Sequence, residues 1–283
     1  METTVTTSTG HPPPGRRRIA PLLACLALHA ACTAPAIAQE ADASHTYGET
    51  LSRLLRFAVV YLEVNGTLPD GSTIPQIEGT GFFVTHDGHL VTAKHVAMSK
   101  TQWRTHQARL DKAGLKEKEF VRANFTFRGR LYKSDATPFE LQLLDVHDSA
   151  DIAVLKLKTE TDRVRERAWP VLPIAGNLSA ASANMRVAAL GFPHGLGWAE
   201  RYSEDFSAKI TFYGHRHEGA DLVATNTLLQ AGTSGGPVYN RRGEVVGVIY
   251  GGRELNPTSF FTPGNLVAGF LGYLGINYLG VRQ

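Results

Sequence analysis

The chain has 283 residues, 43% hydrophobic and 19% charged, a composition suited to one large globular domain or two packed halves. Its formal charge is +3, and Arg16, Arg17, Arg18 and Glu2 all fall within the first 38 residues, so the rest carries about +1. A field that weak argues against nucleic acid as a partner.

The N-terminus reads as an address. A basic patch at Arg16–Arg18 precedes an apolar run from Ile19 to about Ala38, which closes on Ala36-Ile37-Ala38, an A-x-A cleavage pattern. We expect residues 1–38 to be a secretory signal peptide and 39–54 a lead-in. A membrane anchor is the alternative, but Pro21, His29, Thr33 and Pro35 interrupt the run, so no stable membrane insertion is expected after cleavage. Both cysteines, Cys25 and Cys32, lie in this segment. The mature chain then has no disulfide, no thiol nucleophile and no thiolate metal site, which suits a bacterial periplasm or exterior.

Further along, "TLSRLLRF" turns into a β-rich run from Phe57 to Val64, closed by Asn65-Gly66. Strands over 81–85 and 89–92 flank Asp87-Gly88, a hairpin-turn pair, and His86 and His89 beside it are expected to be exposed. Residues 98–120 are charged and helix-tolerant and read as a partly helical surface insertion. Strands resume in "ANFTFRGRLY", "FELQLLDVH" and "DIAVLKLK". A charged, Pro-containing connector over about 159–183 separates an N-terminal half (about 55–158) from a C-terminal one (about 184–273). The second half offers "RVAALGFP", "FSAKITFYGH", "ADLVATNTLL", "GPVYN" and "EVVGVIYGG", then a helix over "TPGNLVAGFLGYLG" with Thr262 as N-cap and Pro263 at its first position. His215 and His217 would share one face of a strand, as metal ligands can, but "HRHEGAD" reads better as a hairpin tip, and no metal site is expected. Trp103, Trp169 and Trp198 show no spacing of a ligand cage, so packing is their expected role. Many short strands with helix mainly at the end give an all-β sandwich or barrel.

The stretch "LLQAGTSGGPVYN" sets Ser234 among Gly232, Gly235 and Gly236. It is either a tight turn or a nucleophile whose neighbouring N–H groups face a reacting carbonyl. A serine nucleophile needs a base and a group that orients the base. His95 follows the strand "HLVTA", and Asp151 opens "DIAVLKL", with Asp148 as the runner-up acid. The same serine also fits G-x-S-x-G, the elbow of α/β-hydrolases, but that fold needs an acid and then a His downstream. No His and no Asp follows Ser234.

"GTGFFVTHDGHLVTAKHV", "DSADIAVLKL", "ALGFPHGLG" and "GTSGGPVYNRRGEVVGVIYGG" together resemble the trypsin-like serine peptidases, most closely the bacterial HtrA/Deg-type protease domain, over about residues 55–273. The resemblance implies two six-stranded antiparallel β-barrels with a C-terminal helix. It implies His95 as general base, Asp151 as its orienting acid and Ser234 as nucleophile, with the N–H groups of Gly232 and Ser234 as oxyanion hole. No cofactor is implied. Leu228 would stand at the base of the specificity pocket, walled by Tyr250, Gly251 and Gly252, so small or apolar residues are the expected preference. Thr233 stands where pancreatic-type relatives carry an activating Asp, so control should come from loop ordering around the oxyanion hole. With about ten residues after the final helix, no PDZ domain is expected. The function so implied is an exported serine endopeptidase acting on polypeptides, in which a homo-oligomer remains open. A binding or chaperone-like module of the same fold is the alternative.

Overall fold

The computed structural model describes residues 47–68, 70–98, 110–112, 114, 116–132, 137–158, 169–176, 184–193, 195, 200–202, 208–217, 220–227, 229–253 and 258–280. The expected signal peptide, the first half of the lead-in, Leu228, Trp103, Trp198, and much of the insertion and the connector lie outside these residues.

Two barrels make up the architecture. Strands β1 (Val59–Gly66), β2 (Ile77–Phe83), β3 (His89–Thr92), β4 (Phe125–Leu131), β5 (Phe139–Val146) and β6 (Ala153–Leu157) close in the order β1-β2-β3-β6-β5-β4, antiparallel throughout. The second sheet holds β7 (Arg186–Gly191), β8 (Glu200–Tyr202), β9 (Ala208–His217), β10 (Ala220–Thr225), β11 (Pro237–Tyr239), β12 (Val245–Arg253) and β13 (Thr258–Pro263). Pairing of β7 with β11 closes six of these strands, and β8 flanks β7. Helices α1 (Lys94–Met98), α2 (Glu117–Asn124) and α3 (Gly264–Tyr273) flank the strands, and residues 47–55 are helical as well. The expected all-β fold with two six-stranded barrels and a C-terminal helix is the one observed.

With side chains alternating between faces, β1, β2, β3 and β6 are apolar on both, whereas β4 and β5 alternate buried and exposed residues. On β1, Val60, Leu62 and Val64 fill the barrel, while Val59 and Tyr61 point to a second cluster. Phe83 and Phe82 divide the same way on β2, as do Leu90 and Val91 on β3. That second cluster continues through Leu190, Phe192, Tyr239 and Val245 of the other barrel. It is sealed by Val267, Ala268, Phe270 and Leu271 of α3. In β1, β2, β3 and β6, one face therefore builds the barrel and the other builds the seam. Each fully buried Phe or Leu there contributes roughly 1.5–3 kcal/mol. Trp169, expected to pack, lies 4.7 Å from Phe83 and 5.2 Å from Phe139, ring centre to ring centre.

Several boundaries differ from the sequence expectation. Arg56–Ala58 form a 3-10 turn, and β1 runs on through Asn65-Gly66, because these pair with Thr126 and Phe125. Strand β2 starts at Ile77 and ends at Phe83, its length set by β1. Helix α2 extends to Asn124, so β4 begins at Phe125. Strands β8 and β13 were not anticipated. Thr262 does not cap a helix. It pairs with Val248 inside β13, and Pro263 is the N-cap residue of α3. Sheet pairing outweighs the local helix-start pattern there. His215 and His217 are in the last three residues of β9, opposite Leu222 and Ala220 of β10, at the end of the β9–β10 hairpin as expected. His89 is half-buried, with Nδ1 beside the hydroxyl of Thr85 and the carboxylate of Asp87.

The turn between β5 and β6 delivers Asp151. Its shape depends on His147, whose Nδ1 accepts the N–H groups of Ser149 (3.2 Å) and Ala150 (2.9 Å). The His147 N–H reaches the Ile152 carbonyl at 2.9 Å, and Lys94 Nζ donates to the His147 carbonyl at 3.1 Å. Burial pushes the imidazole below the ordinary histidine value of 6.5. Asp148 opposes that shift and Lys94 adds to it.

Two outcomes are expected. Trp169→Ala should cost about 3–5 kcal/mol in urea unfolding, because Phe83 and Phe139 lose a shared partner. For His147, the folded chain takes up a proton less readily than the unfolded one. Its stabilisation is therefore complete above about pH 6.5 and declines as pH falls toward the lower folded value. Protonated Nδ1 would also face two N–H groups. Urea midpoints followed from about pH 7.5 to 5 should fall, and His147→Asn, which still accepts and does not titrate, should flatten that limb.

Candidate active site

His95 is the second residue of α1, where the backbone N–H groups of the first turn lack helical partners. Asp151, only 5% exposed in its side chain, takes up one of them: Oδ1 accepts the His95 N–H at 2.9 Å. Its other oxygen, Oδ2, lies 2.7 Å from His95 Nδ1. One carboxylate thus holds both the backbone and the ring of the same residue. With Nδ1–H donating to Asp151, Nε2 is left as the basic nitrogen. Asp148 is exposed and lines a separate pocket with His147 and Tyr273.

Ser234 comes from the other barrel, in the loop before β11. Gly232 has φ +91, a left-handed conformation, and a Cβ there would lie 2.5 Å from the Phe192 carbonyl oxygen. The loop also presses on the first barrel. A Cβ on Gly235 would meet the Thr80 carbonyl oxygen at 2.1 Å and the Ala93 nitrogen at 2.8 Å, two residues before His95. Glycine at these positions is a packing requirement. The Thr233 carbonyl accepts the Gly236 N–H at 2.9 Å, and the Gly235 N–H reaches the Ile249 carbonyl at 2.8 Å. Among the described residues, the N–H groups of Gly232 and Ser234 have no hydrogen-bond acceptor. Thr233 is buried, with its hydroxyl donating to the Gln230 carbonyl at 2.6 Å.

Tyr250 touches both halves. It is the bulged residue of β12, between Ile249 opposite Phe261 and Gly251 opposite Phe260. Its carbonyl accepts the Ser234 hydroxyl at 3.3 Å, and its ring meets the His95 ring edge-on at 5.7 Å. Gly251 and Gly252 continue β12 beside it. The structure therefore brings together His95, Asp151, Ser234, Gly232 and Tyr250.

Three contributors escaped the sequence reading. Thr80 contacts the Ser234 loop from β2, its only local sign being the flanking glycines in Gly79-Thr80-Gly81. His147 shapes the Asp151 turn, and nothing local separates it from the other ten histidines. The Tyr250 carbonyl is a backbone group and has no sequence signature.

Among the described residues, no group of three or more His, Cys, Asp or Glu is arranged to hold a metal ion. No helix among them is long and apolar enough to cross a membrane.

The family model of the trypsin-like peptidase domain matches residues 79–248. Among curated proteins, the chain is 27% identical to Serine protease HTRA1 of Xenopus tropicalis over 250 residues, 80% of this chain and 45% of that protein. It is 27% identical to mitochondrial Serine protease HTRA2 of Bos taurus over 201 residues, 68% of this chain and 35% of that protein. It is also 27% identical to a probable periplasmic serine endoprotease, DegP-like, of Rhizobium meliloti over 187 residues, 65% of this chain and 29% of that protein. The chain spans less than half the length of these relatives. The family match covers more than half of the chain and includes His95, Asp151 and Ser234, and with the double barrel it shows that the protein belongs to the trypsin-like peptidase family.

Proposed function

We propose that the protein is an exported serine endopeptidase that cleaves polypeptides through an acyl-enzyme on Ser234. The observation that carries this reading is the two-oxygen grip of Asp151 on His95, beside a serine loop from the opposite barrel. Ser234 Oγ attacks the peptide carbonyl carbon while His95 Nε2 takes the hydroxyl proton. Asp151 keeps the ring in the right tautomer and stabilises the imidazolium. The developing oxyanion is met by the N–H groups of Gly232 and Ser234. The C–N bond then breaks, the leaving amine takes the proton from His95, and water, deprotonated by the same histidine, releases the acyl group.

In the resting arrangement the Ser234 hydroxyl donates to the Tyr250 carbonyl, so attack begins with its rotation toward His95. That contact also favours the second reading, a binding or chaperone-like module with little turnover. Substrate backbone would pair with β12 at Tyr250–Gly252, with Leu228 at the pocket base and small or apolar residues preferred. The composition of residues 1–38 supports export, and a periplasmic relative of similar sequence agrees with that.

A fluorophosphonate should label the folded protein, and Ser234→Ala should abolish labelling. A folded wild type that stays unlabelled and leaves casein intact would favour the binding module. Asp151→Asn should lower kcat by about 10³–10⁴-fold, whereas Asp148→Asn should change it by less than about twofold.

A further inference from the structure

We propose that Thr80 is a positioning residue whose side-chain hydroxyl holds the nucleophile loop in its reactive shape. This rests on the reading of Ser234 as nucleophile. Thr80 is completely buried on β2, in the barrel that carries His95, yet its polar atoms serve the loop of the other barrel. Its Oγ1 donates to the Gly232 carbonyl at 2.8 Å and accepts the Phe192 N–H at 3.1 Å. Its backbone N–H donates to the Ser234 carbonyl at 2.8 Å. The Thr92 hydroxyl donates to the Thr80 carbonyl at 2.6 Å and fixes Thr80 itself.

These bonds matter because peptide groups are planar and trans, so holding a carbonyl also aims the amide joined to it. The Gly232–Thr233 plane is held by Thr80 Oγ1 at its carbonyl and by Gln230 at its N–H. Thr80 N–H and the Ile249 carbonyl hold the Ser234–Gly235 plane. Between them, the Thr233 carbonyl is engaged by the Gly236 N–H, so the Ser234 N–H projects to the opposite side. Thr80 therefore grips two of the three consecutive planes from Gly232 to Gly235. The hydroxyl is also the link between Gly232 and Phe192, the residue whose carbonyl Gly232 packs against.

A hydroxyl can donate and accept at once, and here both capacities are used. Valine has the same shape and neither capacity. Thr80 is fully buried and valine fills the same volume, so no room for a water opens and the Gly232 carbonyl and the Phe192 N–H would both be left unpaired. The Gly232 carbonyl would turn toward another donor and carry the adjoining N–H groups out of aim. If Thr80 is only a β-branched residue that suits a strand, Val should serve as well.

The test compares wild type, Thr80→Val and Thr80→Ser. Fluorophosphonate acylation and peptide kcat should fall about 10–100-fold in Thr80→Val with KM nearly unchanged, a smaller loss than deleting a whole oxyanion donor. Thr80→Ser should stay within about threefold of wild type, because it keeps the hydroxyl. Amide exchange of a peptide spanning residues 229–236 should quicken about tenfold or more in Thr80→Val, while first-barrel strands keep their protection. Equal acylation and exchange in wild type and Thr80→Val would overturn the proposal. So would a Thr80→Ser variant as impaired as Thr80→Val. An unlabelled wild type would count against Ser234 as nucleophile, while the exchange comparison still reads the clamp.

Discussion

Buried hydrogen bonds from Thr80 to the carbonyls of Gly232 and Ser234 join two barrels that each close on their own strands. Neither barrel alone holds a complete site. His95 and Asp151 belong to the first, and Ser234 and Tyr250 to the second. Apolar packing brings the barrels together through Tyr61, Phe82, Phe192 and Tyr239, but hydrophobic contact is non-directional. It sets distance and leaves rotation and register loosely determined. Buried polar contacts have narrow geometry and high penalties when broken. The Thr80 bonds, with the close approach of Gly235 to the Thr80 carbonyl, convert a greasy seam into a defined alignment of histidine and serine loops.

The acid side of the site shows a similar economy. A single carboxylate both caps a five-residue helix and orients the imidazole on that helix. The turn that carries it is held by His147, and the Lys94 ammonium group of the same helix reaches back to that turn. Helix α1 and the Asp151 turn are thus mutually braced. Displacing either one loses bonds in both.

Tyr250 lies between the two parts of the site. A β-bulge turns its carbonyl to the Ser234 hydroxyl and its ring to His95. Under the proposed reading, a substrate strand pairing with β12 would compete for the same polar edge. Binding and release of the nucleophile would then be coupled through one residue. Under the same reading, the N–H groups of Gly232 and Ser234, which have no acceptor among the described residues, would donate to an incoming carbonyl.

Much of this was legible in the chain. Alternating and continuous apolar runs, with turn pairs such as Asp87-Gly88, determined an all-β fold, because strand period and turn chemistry are local. The order His95, Asp151, Ser234 and the glycines around Ser234 pointed to one chemistry, because an acyl-transfer site has few residue types to choose from. Strands β8 and β13 and the ends of β1 and β2 were not legible, since pairing partners far along the chain determine where a strand stops. Thr262 shows the limit well: a helix-cap pattern locally, a strand residue once Val248 lies opposite. Asp151 was already the preferred acid in the sequence, but the carbonyl of Tyr250 facing Ser234 and the grip of Thr80 on Gly232 were decided only by the tertiary structure. Each depends on which atoms meet once strands far apart in the chain have paired and the two barrels have packed, and neither sequence spacing nor residue type records that.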